Sequence, residues 1–228
     1  MVEIGSVPTL QRGSFDDARV CVVLLHGYGM QASDLAPFAD SLGVPAVFLF
    51  PQGPWACPGG GRSWWRRDEL AAAAAQAVGP RDLANLYPEG RLESRALLSR
   101  YLNAIAPMQG SRPLLLAGFS QGGMLACDLL LHEETKVDAL ALFSSSRIAF
   151  EDWRPRLPRL KDLPALVSHG RDDADLAFAA GEALRDALVE GGASVDWVAF
   201  DGGHEIQLPV WRALRRLIRR LAAASPGG

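Results

Sequence analysis

Ser120 lies in the sequence Gly118-Phe119-Ser120-Gln121-Gly122, a G-x-S-x-G pattern between an apolar run and a helical segment. A serine in a tight turn between a strand and a helix has its side chain exposed, as a nucleophile requires. Such a turn is strained, and the small residues Gly118 and Gly122 leave room for it. The pattern therefore predicts that Ser120 attacks a carbonyl carbon, rather than being an ordinary serine in a glycine-rich turn.

A serine nucleophile needs a general base at neutral pH, and the chain offers four histidines. His26 is expected to shape the loop after the first strong strand, His132 to lie exposed at a helix end, and His169 to end a strand. His204 follows the last apolar run and precedes the last helix. Hydrolases with a serine in this context place the base after the final strand, so His204 is predicted to be the base.

The acid that orients the base should follow the penultimate strand. Three carboxylates lie there, in the segment His169-Gly170-Arg171-Asp172-Asp173-Ala174-Asp175. Residue types alone do not choose among Asp172, Asp173 and Asp175. Asp201, just before His204, is a fourth candidate, but its position favours a role in ending the strand and capping the turn.

Four motifs, in this order, resemble the phospholipase/carboxylesterase family of α/β-hydrolases, which includes the acyl-protein thioesterases. They are Leu25-His26-Gly27-Tyr28-Gly29, Gly118-Phe119-Ser120-Gln121-Gly122-Gly123, His169-Gly170-Arg171-Asp172-Asp173 and Gly203-His204-Glu205. The resemblance spans nearly the whole chain and implies that Asp173 is the acid, with Asp172 as the second choice. It also implies an oxyanion hole built from the backbone N–H groups of Tyr28 and Gln121. Each such donor is worth about 3 kcal/mol in acyl transfer.

Two segments depart from the family pattern. A proline and an apolar residue usually follow the acid, whereas Ala174-Asp175-Leu176 follows it here and places a charge near the site. Trp64 and Trp65 resemble the family's tryptophan–aromatic pair beside the substrate, and they are candidate substrate-binding residues, with plain packing as the alternative. Arg66 and Arg67 stand where the family often has an acidic residue.

These residues need a scaffold of alternating strands and helices. Six short runs are largely apolar and do not alternate regularly, which predicts strands covered on both faces: Val20–Leu25, Ala46–Phe50, Pro113–Ala117, Val137–Phe143, Leu163–Ser168 and Val195–Phe200. Helical periodicity predicts helices at Asp34–Leu42, Leu92–Ile105, Gly122–Leu131 and Phe178–Glu190, and a last helix from Val210 onward with an arginine-rich solvated face.

Strand and helix in alternation predict an α/β-hydrolase fold, with a mainly parallel sheet, helices on both faces and no large cap domain. We expect one domain over residues 1–228. Residues 52–88 form the one long irregular stretch, with a short helix at 71–75. The segment Ser225–Gly228 is expected to be a frayed tail.

The composition argues against a nucleic-acid-binding, a metal-binding and a membrane-spanning protein. The 228 residues are 49% hydrophobic and carry a net charge of −3, which gives no reason to expect nucleic acid or an anionic membrane as partner. Cys21, Cys57 and Cys127 are far apart and lack metal or redox spacing, so no metal site is predicted and reduced thiols in the cytoplasm are expected. No apolar run is long enough to cross a bilayer, and the N-terminus lacks a signal-peptide pattern, so no membrane insertion is expected.

The sequence thus predicts a serine carboxylesterase that hydrolyses short- to medium-chain carboxylic esters through an acyl-enzyme, with a small-molecule ester or thioester as its partner and no cofactor. The chain-length expectation rests on the short stretch between Phe143 and Leu163, where Trp153 is a candidate for closing part of the pocket. The main rival is an acyl-protein thioesterase or lysophospholipase acting on long acyl chains. A catalytically silent binding module is the non-enzyme alternative, against which the full set of triad residue types argues. The residues do not determine the oligomeric state.

Overall fold

One eight-stranded sheet organises the chain, in the order β1-β2-β4-β3-β7-β8-β9-β10. The computed structural model describes residues 1–224, so the predicted tail Ser225–Gly228 lies outside the described residues. The strands from β4 to β10 in this order are parallel, whereas β1 and β2 pair antiparallel at one edge. The sheet strands are β1 (Val2–Ile4), β2 (Val7–Arg12), β3 (Val20–Leu25), β4 (Ala46–Pro51), β7 (Leu114–Phe119), β8 (Ala139–Phe143), β9 (Pro164–Gly170) and β10 (Ser194–Phe200).

The helices alternate with these strands, and a small hairpin of β5 (Trp55–Ala56) and β6 (Arg62–Ser63) stands apart from the sheet. The helices are α1 (Ala36–Leu42), α2 (Glu69–Val78), α3 (Arg91–Gln109), α4 (Gln121–His132), α5 (Phe150–Trp153), α6 (Phe178–Glu190) and α7 (Leu208–Ala224), and a 3-10 helix covers Arg154–Leu160. No helix among residues 1–224 is long and apolar enough to cross a membrane.

The central strand β3 is apolar at every position because both of its faces are covered. Its odd-numbered residues pack into a core shared with α3, α4 and α6, and its even-numbered residues pack into a second core with α1 and α7. Side chains along a strand alternate between the two faces of a sheet, so a strand covered on both sides must be apolar throughout. The α/β-hydrolase fold with helices on both faces is confirmed.

All six expected strands are present, with small shifts at their ends, but the antiparallel hairpin of β1 and β2 was not anticipated. Its residues are a mixture of exposed, half-buried and buried positions and include Pro8, so they lack the apolar run that marks the inner strands. The irregular stretch 52–88 is also more ordered than expected, because it holds the β5–β6 hairpin and α2, which is longer than the short helix expected at 71–75.

The expectation that Trp153 closes part of the pocket is wrong, because its side chain lies in the core. It is fully buried, and its indole N–H donates to Asp128 Oδ1 at 2.7 Å. Asp128 is buried too and accepts from the Arg91 guanidinium at 2.7 and 3.0 Å. His132, expected to be exposed, has a side chain only 9% exposed and lies within 2.9 Å of the Asp128 carbonyl oxygen. This polar network fastens α3, α4 and α5 together, away from the serine.

Candidate active site

The turn that carries Ser120 joins the end of β7 to the start of α4. Ser120 has φ 51° and ψ −117°, a conformation that side chains rarely adopt. A Cβ at Gly118 would lie 2.3 Å from the carbonyl carbon of Gly122, and a Cβ at Gly122 would lie 2.5 Å from Leu25 O. The glycines of the G-x-S-x-G pattern are therefore required by backbone contacts, and the strained turn points the serine hydroxyl at the histidine.

His204 follows β10 and reaches Ser120 across the carboxyl edge of the sheet. Its Nε2 lies 2.9 Å from Ser120 Oγ and accepts the hydroxyl proton. The imidazole packs against the Phe119 ring, with 4.9 Å between ring centroids. The loop behind it is fastened by Ser144, whose hydroxyl donates to Glu205 O at 2.9 Å. This is the geometry of a general base beside its nucleophile.

Asp173, after β9, is the carboxylate that meets the base. His204 Nδ1 donates to Asp173 Oδ2 at 2.7 Å, while Asp173 Oδ1 accepts the backbone N–H groups of Asp175 and Leu176 at 2.9 Å each. Burial by itself raises the pKa of Asp173, but hydrogen bonds from His169, His204 and Leu176 outweigh it and hold the pKa well below its usual range. Asp172 is exposed, so of these two neighbouring carboxylates Asp173 is the one in contact with His204, and its role as the acid stays a prediction.

His169 belongs to the site, although its sequence position indicated only the end of a strand. Its side chain is fully buried, and its Nε2 lies 3.0 Å from Leu176 O and 3.2 Å from Asp173 Oδ2. Because both neighbours are acceptors, Nε2 carries the proton and donates to the same carboxylate oxygen that accepts from His204. The i, i+4 spacing of His169 and Asp173 was the available signal, but in a loop that spacing does not by itself indicate contact.

The two expected oxyanion donors are free to act. Gln121 is the first residue of α4, where backbone N–H groups have no partner within the helix. Within residues 1–224, neither the Gln121 N–H nor the Tyr28 N–H donates to any protein acceptor. The Gln121 side chain instead braces the site, accepting from Trp64 N at 2.8 Å and donating to Trp65 O at 3.2 Å. That these two N–H groups hold the oxyanion stays a prediction.

The tryptophan pair divides between pocket and core. Trp65 lines the cavity that contains Ser120, although little of its surface is exposed. Trp64, the other candidate substrate-binding residue, lies instead in the core: it is 1% exposed and its indole N–H donates to His26 O at 2.9 Å. His26 in turn accepts from Gly53 N at 3.0 Å, in keeping with its expected role in shaping the loop. The two residues lie in a bend directly after β6, and only Trp65 borders the cavity.

A cavity of about 600 Å³ opens onto Ser120 and Gln121. Its apolar wall comes from α2 and the segment before it, the segment before α3, α4 and the loop after β9: Trp65, Ala71, Ala72, Ala75, Leu83, Leu86, Met124 and Leu176. A volume between about 300 and 1,000 Å³ is typical of small-molecule sites. Among residues 1–224, no group of three or more His, Cys, Asp or Glu side chains is placed to hold a metal ion.

Asp175, the charge that departs from the family pattern, lies on this cavity. Its Oδ2 is 3.9 Å from His204 Nε2, and its Oδ1 forms an ion pair with Arg81. The segment after α2 forms two further hydrogen bonds with the loop after β9. Arg81 N donates to Asp175 O at 3.0 Å, and Ala177 N donates to Arg81 O at 2.9 Å. The cavity wall and the loop that carries Asp173 are thus one connected unit.

Known proteins share both the sequence pattern and this architecture. The profile of the Phospholipase/Carboxylesterase family matches residues 13–221. The carboxylesterase SOBER1 of Arabidopsis thaliana is 28% identical over 222 residues, covering 89% of this chain and 91% of that protein. The crystal structure of esterase PE8 superimposes with a TM-score of 0.76 at 25% identity, covering 96% and 100% of the two chains.

Acyl-protein thioesterase 2 of Zea mays is similar in fold, with a TM-score of 0.77 at 16% identity over 94% of this chain and 99% of that one. The family profile covers nearly the whole chain, and a serine, a histidine and an aspartate meet where strands β7, β9 and β10 end. The chain therefore belongs to the Phospholipase/Carboxylesterase family and is a serine hydrolase of the α/β-hydrolase fold.

Proposed function

We propose that this protein hydrolyses short- to medium-chain carboxylic esters through an acyl-enzyme on Ser120. The observation that carries the proposal is the continuous chain of contacts from Ser120 Oγ to His204 at 2.9 Å and from His204 to Asp173 at 2.7 Å, next to an apolar cavity. Ser120, Asp173 and His204 each follow a different strand, β7, β9 and β10, so the fold of the sheet brings the three side chains together. A relay of this geometry is suited to acyl transfer.

In the first half of the reaction, His204 Nε2 removes the hydroxyl proton while Ser120 Oγ attacks the carbonyl carbon. The N–H groups of Tyr28 and Gln121 stabilise the negative charge on the carbonyl oxygen. His204, held by Asp173, then gives its proton to the departing alcohol as the C–O bond breaks, which leaves Ser120 acylated. In the second half, His204 removes a proton from water, which attacks the acyl carbon. The proton then passes to Ser120 Oγ as the bond between the serine and the acyl group breaks, which releases the carboxylic acid and restores the serine.

Two features support short to medium acyl chains. The stretch between β8 and β9 contains only α5 and a 3-10 helix, and no large inserted domain covers the cavity. The cavity has a volume of about 600 Å³, within the range of small-molecule sites, and is walled in part by alanines of α2. A cytoplasmic location is also part of the proposal, supported by three unpaired cysteines.

The decisive test is labelling with a fluorophosphonate probe followed by a turnover profile. We expect the wild-type chain to be labelled and Ser120→Ala to remain unlabelled, whereas equal labelling of both would exclude the mechanism. Turnover is then measured on esters from acetate to palmitate and on the matching thioesters. A maximum at short to medium esters supports the proposal, and a long-chain thioester optimum would replace it with acyl-protein thioesterase activity.

A further inference from the structure

Three arginines line the active-site cavity, and they differ in how fully they are paired. Arg81 is neutralised by Asp175 in an ion pair. Arg66 is exposed and lies over the Trp55 ring, 4.5 Å from its centroid. Arg67 lies over the ring of Tyr28 at 4.9 Å, and no described residue accepts a hydrogen bond from its guanidinium. Arg66 likewise has no hydrogen-bonded partner among the described residues, but it is exposed, so Arg67 is the partly buried cation of the cavity that lacks a hydrogen-bond acceptor.

The carboxylates near Arg67 are committed elsewhere. Glu69 accepts the hydroxyl of Tyr28, and its other oxygen is 3.6 Å from Arg67 Nε, which is too long for a hydrogen bond. Asp68 caps α2 by accepting from Ala71 N at 3.0 Å. The remaining cavity carboxylates are Asp175, held by Arg81, and Glu89, which points to solvent at the rim.

The position of Arg67 also makes its charge poorly compensated. Its side chain is 28% exposed, and its Nε is buried without an acceptor. Burial lowers the pKa of the Arg67 guanidinium and the neighbouring Arg81 lowers it further, whereas Asp175 and Cys57 raise it by a smaller amount. A partly buried guanidinium with unused planar donors is the group that proteins use to bind carboxylates and phosphates.

We infer that Arg67 binds an anionic group on the substrate, so that the preferred esters carry a carboxylate or a phosphate on the portion that lies along Tyr28. This inference rests on the proposed esterase function and gives it a substrate class. Tyr28 connects the predicted oxyanion hole with the proposed anion site, since its backbone N–H is a predicted oxyanion donor and its ring lies beneath the Arg67 guanidinium. An anion held there is bound in the same cavity as Ser120.

The test compares pairs of esters that differ only in charge. The 4-nitrophenyl monoester of adipic acid is compared with its methyl ester, in which the free carboxylate is masked. A second pair, monobutyryl glycerol 3-phosphate and monobutyryl glycerol, asks whether phosphate is preferred instead. We expect kcat/KM to favour the charged member of at least one pair by about tenfold, the size of one charge-assisted contact. No preference in either pair would overturn the inference.

Variants at Arg67 test whether this residue causes the preference for charged esters. In Arg67→Gln the charged-to-neutral ratio should fall close to one, and in Arg67→Lys it should be intermediate, because lysine keeps the charge but not the planar fork. Arg216→Gln, on the exposed face of α7, removes the same charge far from the cavity and should keep the wild-type ratio. A ratio in Arg67→Gln equal to that of wild type would assign the preference to another group and overturn the inference. Fluorophosphonate labelling of each variant shows that its site is intact.

The two proposals fail in different ways. Turnover of the neutral esters without any preference for charge would leave the esterase proposal standing and remove the role of Arg67. An unlabelled wild-type chain that turns over neither member of a pair would remove the esterase proposal itself.

Discussion

His169 Nε2 lies 3.2 Å from Asp173 Oδ2, the oxygen that also accepts a hydrogen bond from His204 Nδ1 at 2.7 Å. Asp173, the predicted acid, is thus held between two histidines, of which His169 touches neither Ser120 nor the cavity. Gly181 makes this possible, since a Cβ there would lie 2.3 Å from His169 Nδ1. His169 is a positioning residue that fixes the direction and the charge of Asp173.

Removing the His169 donor should alter the pH profile as well as the rate. In His169→Leu, Asp173 loses a stabilising hydrogen bond, so its pKa rises and the carboxylate becomes protonated at a higher pH than in the wild type. The acidic limb of kcat/KM should therefore move to higher pH, and kcat should fall by about tenfold with KM little changed.

Glutamine at this position provides the matched comparison, because its amide can reproduce the Nε2–H donor. His169→Gln should restore most of the rate and the wild-type acidic limb. Gly181→Ala should resemble His169→Leu, because the added methyl group displaces the imidazole. An unshifted acidic limb in His169→Leu would show that the residue only fills space.

The choice of acid can be checked with two neighbouring aspartates. Asp173→Asn should lower kcat by about 10⁴-fold, because the amide no longer holds His204 in the tautomer that accepts the serine proton. Asp172→Asn, which changes an exposed side chain one residue away, should retain turnover close to wild type. The measurement is steady-state turnover of a short 4-nitrophenyl ester, with circular dichroism to verify the fold of both variants. Comparable activity in the two variants would contradict the assignment.

The network around Asp128 should govern stability rather than activity. Asp128→Asn leaves the buried Arg91 guanidinium short of a counter-charge, and removing one member of a buried ion pair costs about 3 kcal/mol or more. Urea unfolding should show this loss, while the surviving folded protein keeps its turnover. Glu151→Gln, which breaks only the exposed pair with Arg154, should change the free energy of unfolding by less than about 0.5 kcal/mol. Equal effects would mean that the Asp128 network is not structural.

The three thiols should differ in reactivity according to their burial. Burial raises the pKa of Cys21 to about 12, and Cys127 is buried as deeply, so at pH 8 neither presents thiolate to a reagent. Cys57 is partly exposed in the loop of the β5–β6 hairpin. Titration with a disulfide reagent at pH 8 should modify one thiol per folded chain, Cys57, and all three after unfolding. Loss of the signal in Cys57→Ser would confirm the assignment, and rapid modification of Cys21 in the folded chain would contradict it.

The fold and the nucleophile could be predicted from the sequence because their signals are local. A strand buried on both faces must be apolar at each position, and a serine in a strained strand–helix turn must have glycines beside it. The hairpin of β1 and β2 has no such signal, since an edge strand with one exposed face needs only every second residue to be apolar, and Pro8 further obscures the pattern.

The tertiary structure decided which side chains meet. Asp172 and Asp173 are alike in type, and only the direction of the loop after β9 turns one to solvent and the other to His204. In the same way, Trp65 faces the cavity while Trp64 faces the core, and His169 reaches Asp173 because Gly181 lets α6 approach. The sequence by itself thus determined the scaffold and the residues Ser120 and His204, through periodicity and turn chemistry. The partners of those residues and the charge of the cavity depend on long-range packing, which no local pattern encodes.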